Sequence, residues 1–295
     1  MSHAHSDHLF SPNGKKIICS DLTAKLARIT PDKILQKPAY VKLYNSGHIF
    51  GSTQLKITSS EFGEIVYTGD LKLRDGLTTK AAEIVQTDTL IIDGTYGAYD
   101  IKFEEPIEIF EEMKKWSLKN KEFNQIFGGY RIGKAQELIK FLNEYLSVTP
   151  IVSKGIASIS QIYKENGIKL EYVIAGSDEA NEIIKDNFYA VLEYNSLTEE
   201  LLRKLTEVYG RKTIGALATG WAKIYRKKNI EMFALSDHLD FNQMIEYCQC
   251  SNAKKIFVAF GDNRKTALRL KKQLHENIEI FPIQEIENKK TKQSF

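Results

Sequence analysis

The stretch Ser2-His3-Ala4-His5-Ser6-Asp7-His8 holds three of the six histidines of this 295-residue chain. Imidazole and carboxylate groups are the usual ligands of catalytic zinc ions, which keep one position open for water. In an extended turn alternate residues point to one side, so the pattern predicts that His3, His5 and Asp7 face one point, with His8 facing a neighbouring direction. The alternative is an expression tag or a chance histidine-rich terminus. A tag is usually a run of one residue, so the aspartate at this spacing favours a metal site.

Three later positions offer further ligands or proton carriers. His48 lies in a glycine-rich turn before a predicted strand, Asp70 ends another predicted strand, and His238 precedes a predicted helix. A lone histidine is more often structural than functional, and a strand-end carboxylate commonly caps the next turn. The metal hypothesis therefore depends on these positions lying close to the first cluster.

Composition excludes two broad classes of protein. Hydrophobic residues make up 42% and charged residues 27% of the chain, which is typical of a globular protein and not of a disordered one. No run approaches the ~18 apolar residues of a membrane-spanning helix, and no signal-like segment is visible, so we expect a cytoplasmic protein without a membrane partner. A formal net charge of +3 is too small to indicate nucleic-acid binding by itself.

The periodicity of apolar residues predicts an α/β protein. Helix and strand patterns alternate through the middle of the chain, which favours a parallel sheet. The predicted strands are residues 41–44, 53–58, 64–68, 87–93, 151–152, 172–174 and 256–260. The predicted helices are residues 106–119, 133–146, 240–250 and 263–274, the third opened by a capping box from Asp240 to Gln243.

Taken in order, the motifs resemble the metallo-β-lactamase superfamily: His-x-His-x-Asp-His at 3–8, Gly-His-x-x-Gly-Ser at 47–52 and Thr-Gly-Asp at 68–70. Residues 91–97, 218–221 and 236–238 resemble its β-CASP branch of RNA- and DNA-processing nucleases. Within that branch the chain is most similar to archaeal and bacterial exonucleases known as RNA 3′-end processing factors or as DNA-ligase-associated. The resemblance implies an αββα sandwich at 1–96 and 213–295, with an inserted α/β β-CASP domain at 97–212.

The resemblance also implies a role for each candidate site residue. It implies two zinc ions, the first held by His3, His5 and His48, the second by Asp7 and His8, with Asp70 bridging both. His238 matches the histidine that meets the scissile phosphate. Asp93 matches an acidic motif whose carboxylate could hold that imidazole. Asp7, Asp93 and His238 are thus the expected catalytic residues.

The implied activity is a zinc-dependent phosphodiesterase that cleaves RNA or single-stranded DNA with metal-activated water, in RNA processing such as mRNA 3′-end processing or in DNA repair. An exonuclease is favoured over an endonuclease, and a homodimer is possible. The alternative is a catalytically impaired homologue that binds nucleic acid as a partner subunit. Metal content would distinguish the two.

Expected substrate contacts are Arg131 and Lys134, at the start of a predicted helix, and Ser236 beside His238. A second basic run, Lys223 with residues 226–228, is a further candidate, although such a run is more often a solvated face.

The chain departs from the family pattern at two places. The family carries a second-zinc histidine at the end of a late strand, where this chain has Phe260, which cannot bind zinc. The second site is therefore expected to be weaker or empty. The superfamily also has two or more strands before the first histidine motif. These strands are missing ahead of Met1, and we expect the native start to lie upstream.

Overall fold

The computed structural model describes residues 1–9 and 14–284, and the chain divides into two compact units. Unit 1 comprises Met1–Asp75, Lys80–Lys102 and the chain from Asp237 onward, and unit 2 comprises Gly76–Thr79 and Phe103–Ser236. Among the residues placed in this structure, none of the helices is both long and apolar enough to cross a membrane.

The strands and helices of the described ranges follow in chain order. The strands are β1 (Val41–Asn45), β2 (Thr53–Ser59), β3 (Gly63–Tyr67), β4 (Thr89–Asp93), β5 (Asn124–Gly129), β6 (Ile151–Val152), β7 (Val173–Ile174), β8 (Tyr189–Glu193), β9 (Thr213–Ala218), β10 (Ile230–Phe233), β11 (Lys255–Ala259) and β12 (Glu279–Pro282). The helices are α1 (Asp21–Leu26), α2 (Pro106–Lys119), α3 (Lys134–Leu146), α4 (Lys154–Glu165), α5 (Asp178–Ile183), α6 (Glu199–Tyr209), α7 (Phe241–Cys250) and α8 (Asn263–Gln273), with short 3₁₀ turns at Ser6–His8, Pro31–Lys33 and Gly220–Lys223.

Unit 1 is built on a six-stranded sheet in the order β1-β2-β3-β4-β11-β12. β1 pairs with β2 and β2 pairs with β3 in antiparallel orientation, whereas β3, β4, β11 and β12 run parallel to one another. Its core combines sheet residues such as Val66, Leu90 and Val258 with helix residues such as Met244 and Leu270, all fully buried. Burial of this apolar surface holds α7 and α8 against the sheet.

The parallel register of unit 1 brings chemically active positions to one edge. β3 pairs with β4, and β4 pairs with β11 so that Asp93 lies opposite Ala259. Because the carboxyl ends of neighbouring parallel strands meet at the same sheet edge, the segments after these strands lie side by side. Asp70, Asp93 and Phe260 follow or end these three strands.

Unit 2 contains an entirely parallel six-stranded sheet in the order β10-β9-β5-β8-β6-β7. Helix and strand alternate through it, which confirms the predicted α/β class and parallel sheet. The predicted boundary at 212/213 falls directly before β9. The compact unit continues to Ser236 because β9 pairs with β5 and β10 pairs with β9. Unit 1 shows one sheet in its described residues, so the two-sheet αββα sandwich stays a prediction.

Candidate metal centre

The N-terminal segment lies against the start of β2 and next to the loop that follows β3. The backbone N–H of Thr53 donates to the Ser2 carbonyl at 2.9 Å. Gly69 has a φ of +57°, and a Cβ at this residue would lie 2.5 Å from the Ser2 Cβ. Glycine therefore permits a close approach that no larger residue allows, and it brings His3 beside Asp70.

His3, His5, His48 and Asp70 form a compact donor cluster. One donor atom from each lies within 4.8 Å of the others. The Asp70 Oδ2 atom is 3.4 Å from both His3 Nε2 and His48 Nε2, and His48 Nε2 is 3.0 Å from His5 Nδ1. The clustering of these four sequence-predicted ligands is what a bound metal ion requires.

One atom of this cluster tests directly whether a metal would fit. His3 has no exposed surface, and its Nε2 atom has no hydrogen-bond partner. Buried nitrogen and oxygen atoms are nearly always satisfied, so an unpartnered one indicates a missing ligand or ion. Its position 3.4 Å from an Asp70 oxygen suits an ion shared by imidazole and carboxylate.

The protonation of two cluster histidines also suits metal binding. Burial lowers the pKa of His3 and of His48 well below the ordinary value, and neighbouring histidines lower both further. Both rings are therefore neutral near pH 7 and offer a nitrogen lone pair. The Nδ1–H of His48 donates to the backbone carbonyl of Asp237 at 2.9 Å, which leaves its Nε2 free to act as a ligand.

The predicted extended geometry of the first motif is wrong. Ser6–His8 forms a 3₁₀ turn in which the His8 N–H donates to the His5 carbonyl at 3.0 Å. Three residues make one turn, so His5 and His8 share a side and Asp7 does not. His8 Nε2 reaches the second Asp70 oxygen, Oδ1, at 3.2 Å, and it lies 3.9 Å from Asp7 Oδ2 although the Asp7 side chain is 78% exposed. Asp7 therefore lies outside the four-residue donor cluster but beside His8, and its role as a ligand of a second ion stays a prediction.

His8 marks the second position that the sequence assigned to a metal. Burial lowers its pKa, but the hydrogen bond to Asp70 and the charge of that carboxylate outweigh burial, and the net pKa is raised. Phe260 follows β11 with a φ of +60°, and its ring centroid lies 4.9 Å from that of His8. Within the described ranges this position combines His8, one Asp70 oxygen and, 3.9 Å from His8 Nε2, an Asp7 oxygen with an aromatic ring that has no donor atom.

His238 and Asp93 form a hydrogen-bonded pair beside the cluster. The Nδ1–H of His238 donates to Asp93 Oδ2 at 2.8 Å, while Asp93 Oδ1 accepts from the Thr95 hydroxyl and backbone N–H. Burial lowers the pKa of His238, but the Asp93 charge outweighs it and raises the pKa to about 9. Burial raises the pKa of Asp93, but the charge of His238 outweighs it and the net pKa is lowered.

This pair points its other nitrogen toward the cluster. The Nε2 atom of His238 lies 3.9 Å from Asp70 Oδ2, and Asp70, Asp93 and His238 offer three donor atoms within 4.8 Å of one another. The ring is protonated near pH 7, so its Nε2 atom carries a proton. This proton faces Asp70 Oδ2, the oxygen that also lies near His3 and His48. The arrangement can therefore supply a proton at the cluster.

Sequence reasoning missed two residues that position the cluster. Lys72 is buried, and its ammonium lies 3.2 Å from an Asp237 carboxylate oxygen, in the residue whose carbonyl orients His48. Gly47 precedes His48 with a φ of +72°, and a Cβ there would lie 2.3 Å from the Lys72 carbonyl. The Gly47-His48 pair in the sequence signalled a close approach, but nothing in the sequence signalled the lysine.

The predicted substrate contacts belong to unit 2 and differ in exposure. Arg131 is exposed, and Ser236 is half-buried where unit 2 ends. Lys134 is buried, and its ammonium donates to Glu137 at 2.8 Å. The structure thus places Lys134 in a buried ion pair on the first turn of α3, where Glu137 neutralises it, and not on a phosphate-binding surface. Arg131 and Ser236 stay predictions.

Comparison with known proteins adds relatives of named activity. A scan against protein-family models finds no match. The chain is similar to a protein named "Probable DNA ligase" from Opitutus terrae, at 27% identity over 88% of this chain and 26% of that protein. It is also similar to "Probable RNase MJ4" of Methanocaldococcus jannaschii, at 32% identity over 43% of this chain and 30% of that protein. The chain therefore spans less than a third of the length of either relative.

A solved structure supports the overall fold. A protein of unknown function from Enterococcus faecalis V583 aligns with a TM-score of 0.61 over 96% of this chain and 78% of that one. Sequence identity is 14%, so the likeness concerns the fold alone. Mixed α/β architecture with two sheets is thus shared with an experimentally determined structure.

Proposed function

Because the chain belongs to the β-CASP branch of the metallo-β-lactamase superfamily, we propose that it is a zinc-dependent phosphodiesterase that cleaves RNA or DNA. The observation that carries this proposal is the buried His3 Nε2 atom, unpartnered and 3.4 Å from an Asp70 oxygen within a four-residue donor cluster. Relatives named as an RNase and as a DNA ligase support nucleic acid as the substrate class.

The donor set fits a zinc ion. His3, His5, His48 and Asp70 would hold the first ion, and Asp7 and His8 with the second Asp70 oxygen would hold a weaker second one. When bound, zinc supplies Lewis-acid activation of water and neutralises charge at the phosphodiester, which otherwise repels a nucleophile. Imidazole with carboxylate is a common donor set for catalytic zinc.

The remaining chemistry belongs to side chains of this chain. His238 is protonated near pH 7, and its Nε2–H can stabilise a phosphate oxygen or protonate the leaving oxygen. Asp93 holds the ring through Nδ1 and is itself fixed by Thr95, so the imidazole keeps its orientation. The chain therefore carries a positioned proton donor beside the donor cluster.

We infer further that unit 1 is the metallo-β-lactamase-like part, of αββα type, and that unit 2 is the β-CASP-like insertion. We propose an exonuclease in cytoplasmic RNA processing, including mRNA 3′-end processing, or in DNA repair, with a homodimer as its assembly. The resemblance of the motifs at 91–97 and 236–238 to β-CASP nucleases supports the nuclease part of this assignment.

The test is hydrolysis of 5′-labelled RNA and single-stranded DNA before and after metal removal. We expect cleavage to stop after dialysis against a chelator and to return with zinc. A His3→Ala variant should stay inactive with zinc, whereas His275→Ala, which changes an exposed histidine, should behave as the unchanged protein. Cleavage that survives both the chelator and His3→Ala would overturn the proposal.

A second candidate function has one specific observation in its favour. Phe260 packs 4.9 Å from His8 and leaves the second position with fewer donors, which favours a catalytically impaired nucleic-acid-binding subunit. Tight oligonucleotide binding by a fully metal-loaded chain without any cleavage would establish this alternative.

A further inference from the structure

Unit 2 presents an aromatic cluster at the carboxyl edge of its parallel sheet. Tyr130 directly follows β5 and Tyr194 directly follows β8, two strands that pair so that Gly129 lies opposite Glu193. The Tyr194 N–H donates to the Gly129 carbonyl at 2.8 Å, so the pairing extends one residue beyond the strands. The two tyrosine rings consequently stack, with centroids 5.4 Å apart and planes 10° from parallel.

A third tyrosine and a lysine complete the cluster from the segment before β10. The hydroxyl oxygens of Tyr194 and Tyr225 lie 2.5 Å apart, and the Lys227 ammonium lies 4.4 Å from the centre of the Tyr194 ring. Contacts with Met232 of β10 hold this segment, because its sulfur accepts the Lys227 backbone N–H and its carbonyl accepts from Arg226. We call Tyr130, Tyr194, Tyr225 and Lys227 the tyrosine platform.

The tyrosine platform is exposed and lies among positive charges. Tyr130 is 44% and Tyr225 41% exposed, although exposure of aromatic surface is unfavourable. Arg131 and Lys228 are exposed next to these tyrosines in the chain. The carboxylate of Glu193, the residue before Tyr194 in the chain, accepts a hydrogen bond from the Ser153 hydroxyl at 2.7 Å. The surface therefore combines stacked rings with a local excess of cations.

We propose that the tyrosine platform binds a single-stranded segment of the nucleic acid. This proposal rests on the proposed function, because it assigns to unit 2 a surface that holds the same substrate. Stacked aromatic rings with cations beside them are the usual binding surface for unpaired bases and their phosphates. A base on Tyr130 would extend the existing ring stack with Tyr194, Tyr225 would offer a separate exposed ring, and Lys227 and Arg131 would meet the phosphates. A duplex, whose bases already stack on one another, offers no such ring face.

The test measures the affinity of the metal-free full chain for fluorescein-labelled dT15 and rU15. Fluorescence anisotropy in the presence of a chelator reports the binding. Since stacking on one aromatic side chain contributes roughly tenfold or more in affinity, Tyr130→Ala should weaken binding by about tenfold. Tyr130→Phe, which keeps the ring, should bind as the unchanged protein does, and Lys227→Gln should weaken binding less than Tyr130→Ala. Tyr40→Ala, at a tyrosine of unit 1 that is 59% exposed, should change nothing.

Three outcomes would overturn the proposal. The first is an affinity of Tyr130→Ala and Lys227→Gln within twofold of that of the unchanged protein. The second is an equal loss of affinity for Tyr130→Phe and Tyr130→Ala. The third is tighter binding of a duplex hairpin than of dT15, because the hairpin should bind more weakly. Hydrolysis of bis(p-nitrophenyl) phosphate with zinc tests the proposed function separately, because a substrate this small does not need the platform.

Discussion

The donor cluster of unit 1 and the tyrosine platform of unit 2 are built at equivalent places, namely the carboxyl edges of parallel strands. They differ in what they expose. The donor cluster buries His3 completely and keeps it neutral, whereas the platform leaves Tyr130 44% exposed beside cations. Parallel-sheet topology therefore provides the location, and burial decides the chemistry. A buried set of neutral donors suits a small ion, and an exposed ring stack suits an extended ligand.

The largest expected effect is loss of the bridging carboxylate. Asp70 faces His3 and His48 with one oxygen and His8 with the other, so Asp70→Ala removes the shared contact of three histidines. We expect hydrolysis of a labelled oligonucleotide to fall by more than about 100-fold, beyond the effect usual for residues that only support ligands. Binding of dT15 to the platform in chelator should persist. Cleavage at more than a tenth of the original rate would contradict the role of Asp70.

The next effect concerns stability. Lys72→Met leaves the half-buried Asp237 carboxylate without its ammonium partner at 3.2 Å, and breaking such a pair costs about 3 kcal/mol. Urea unfolding should show this loss, and the double variant Lys72→Met with Asp237→Asn should recover part of it. A free energy of unfolding within 0.5 kcal/mol of the original would show that the pair does not hold the segment that orients His48.

A smaller effect is expected for the carboxylate that orients His238. Asp93→Asn preserves shape but removes the charge that accepts from Nδ1 at 2.8 Å, so the ring loses its fixed orientation. We expect a 10- to 100-fold lower rate with unchanged zinc content. Asp88→Asn, at an exposed carboxylate before β4, is the matched control. Loss of zinc in Asp93→Asn would make Asp93 a ligand instead of a positioning residue.

The smallest expected effect is a gain in the number of zinc ions bound per chain. Phe260 lies beside His8 without a donor atom, so Phe260→His should add an imidazole at the second position. Zinc per chain, measured by mass spectrometry of the metal, should rise toward two. Phe260→Leu should leave it unchanged. An equal zinc content in Phe260→His and Phe260→Leu would show that His8 and Asp70 do not form a second site.

Sequence reasoning predicted part of the secondary structure and the four residues of the donor cluster. The amphipathic and alternating patterns predicted α2, α3, α7 and α8 and the strands β1 to β4, β6, β7 and β11, because local periodicity determines them. They missed β5, β8, β9, β10 and β12. The alternating motif predicted that Asp7 faces the same point as His3 and His5. The 3₁₀ turn at Ser6–His8 instead places Asp7 near His8, and such short turns have no periodic signal.

Contacts between residues far apart in the chain account for the remaining differences between the sequence-based predictions and the structure. The extent of unit 2 depends on β9 pairing with β5, across about ninety residues of chain, which no local pattern encodes. The Lys72–Asp237 pair joins residues 165 apart. The tyrosine platform joins Tyr130, Tyr194 and Tyr225, which lie in three separate segments of the chain. Single-sequence periodicity cannot predict such assemblies, since each depends on the sheet register.

We propose above all that the buried donor cluster of unit 1 holds a metal ion. Equilibrium dialysis of the metal-free chain against zinc tests this most directly, independent of any substrate. We predict at least one tightly bound zinc per chain, lost in His3→Ala and retained in His275→Ala. Absence of tight zinc binding by the unchanged protein, or equal binding by His3→Ala, would contradict the claim.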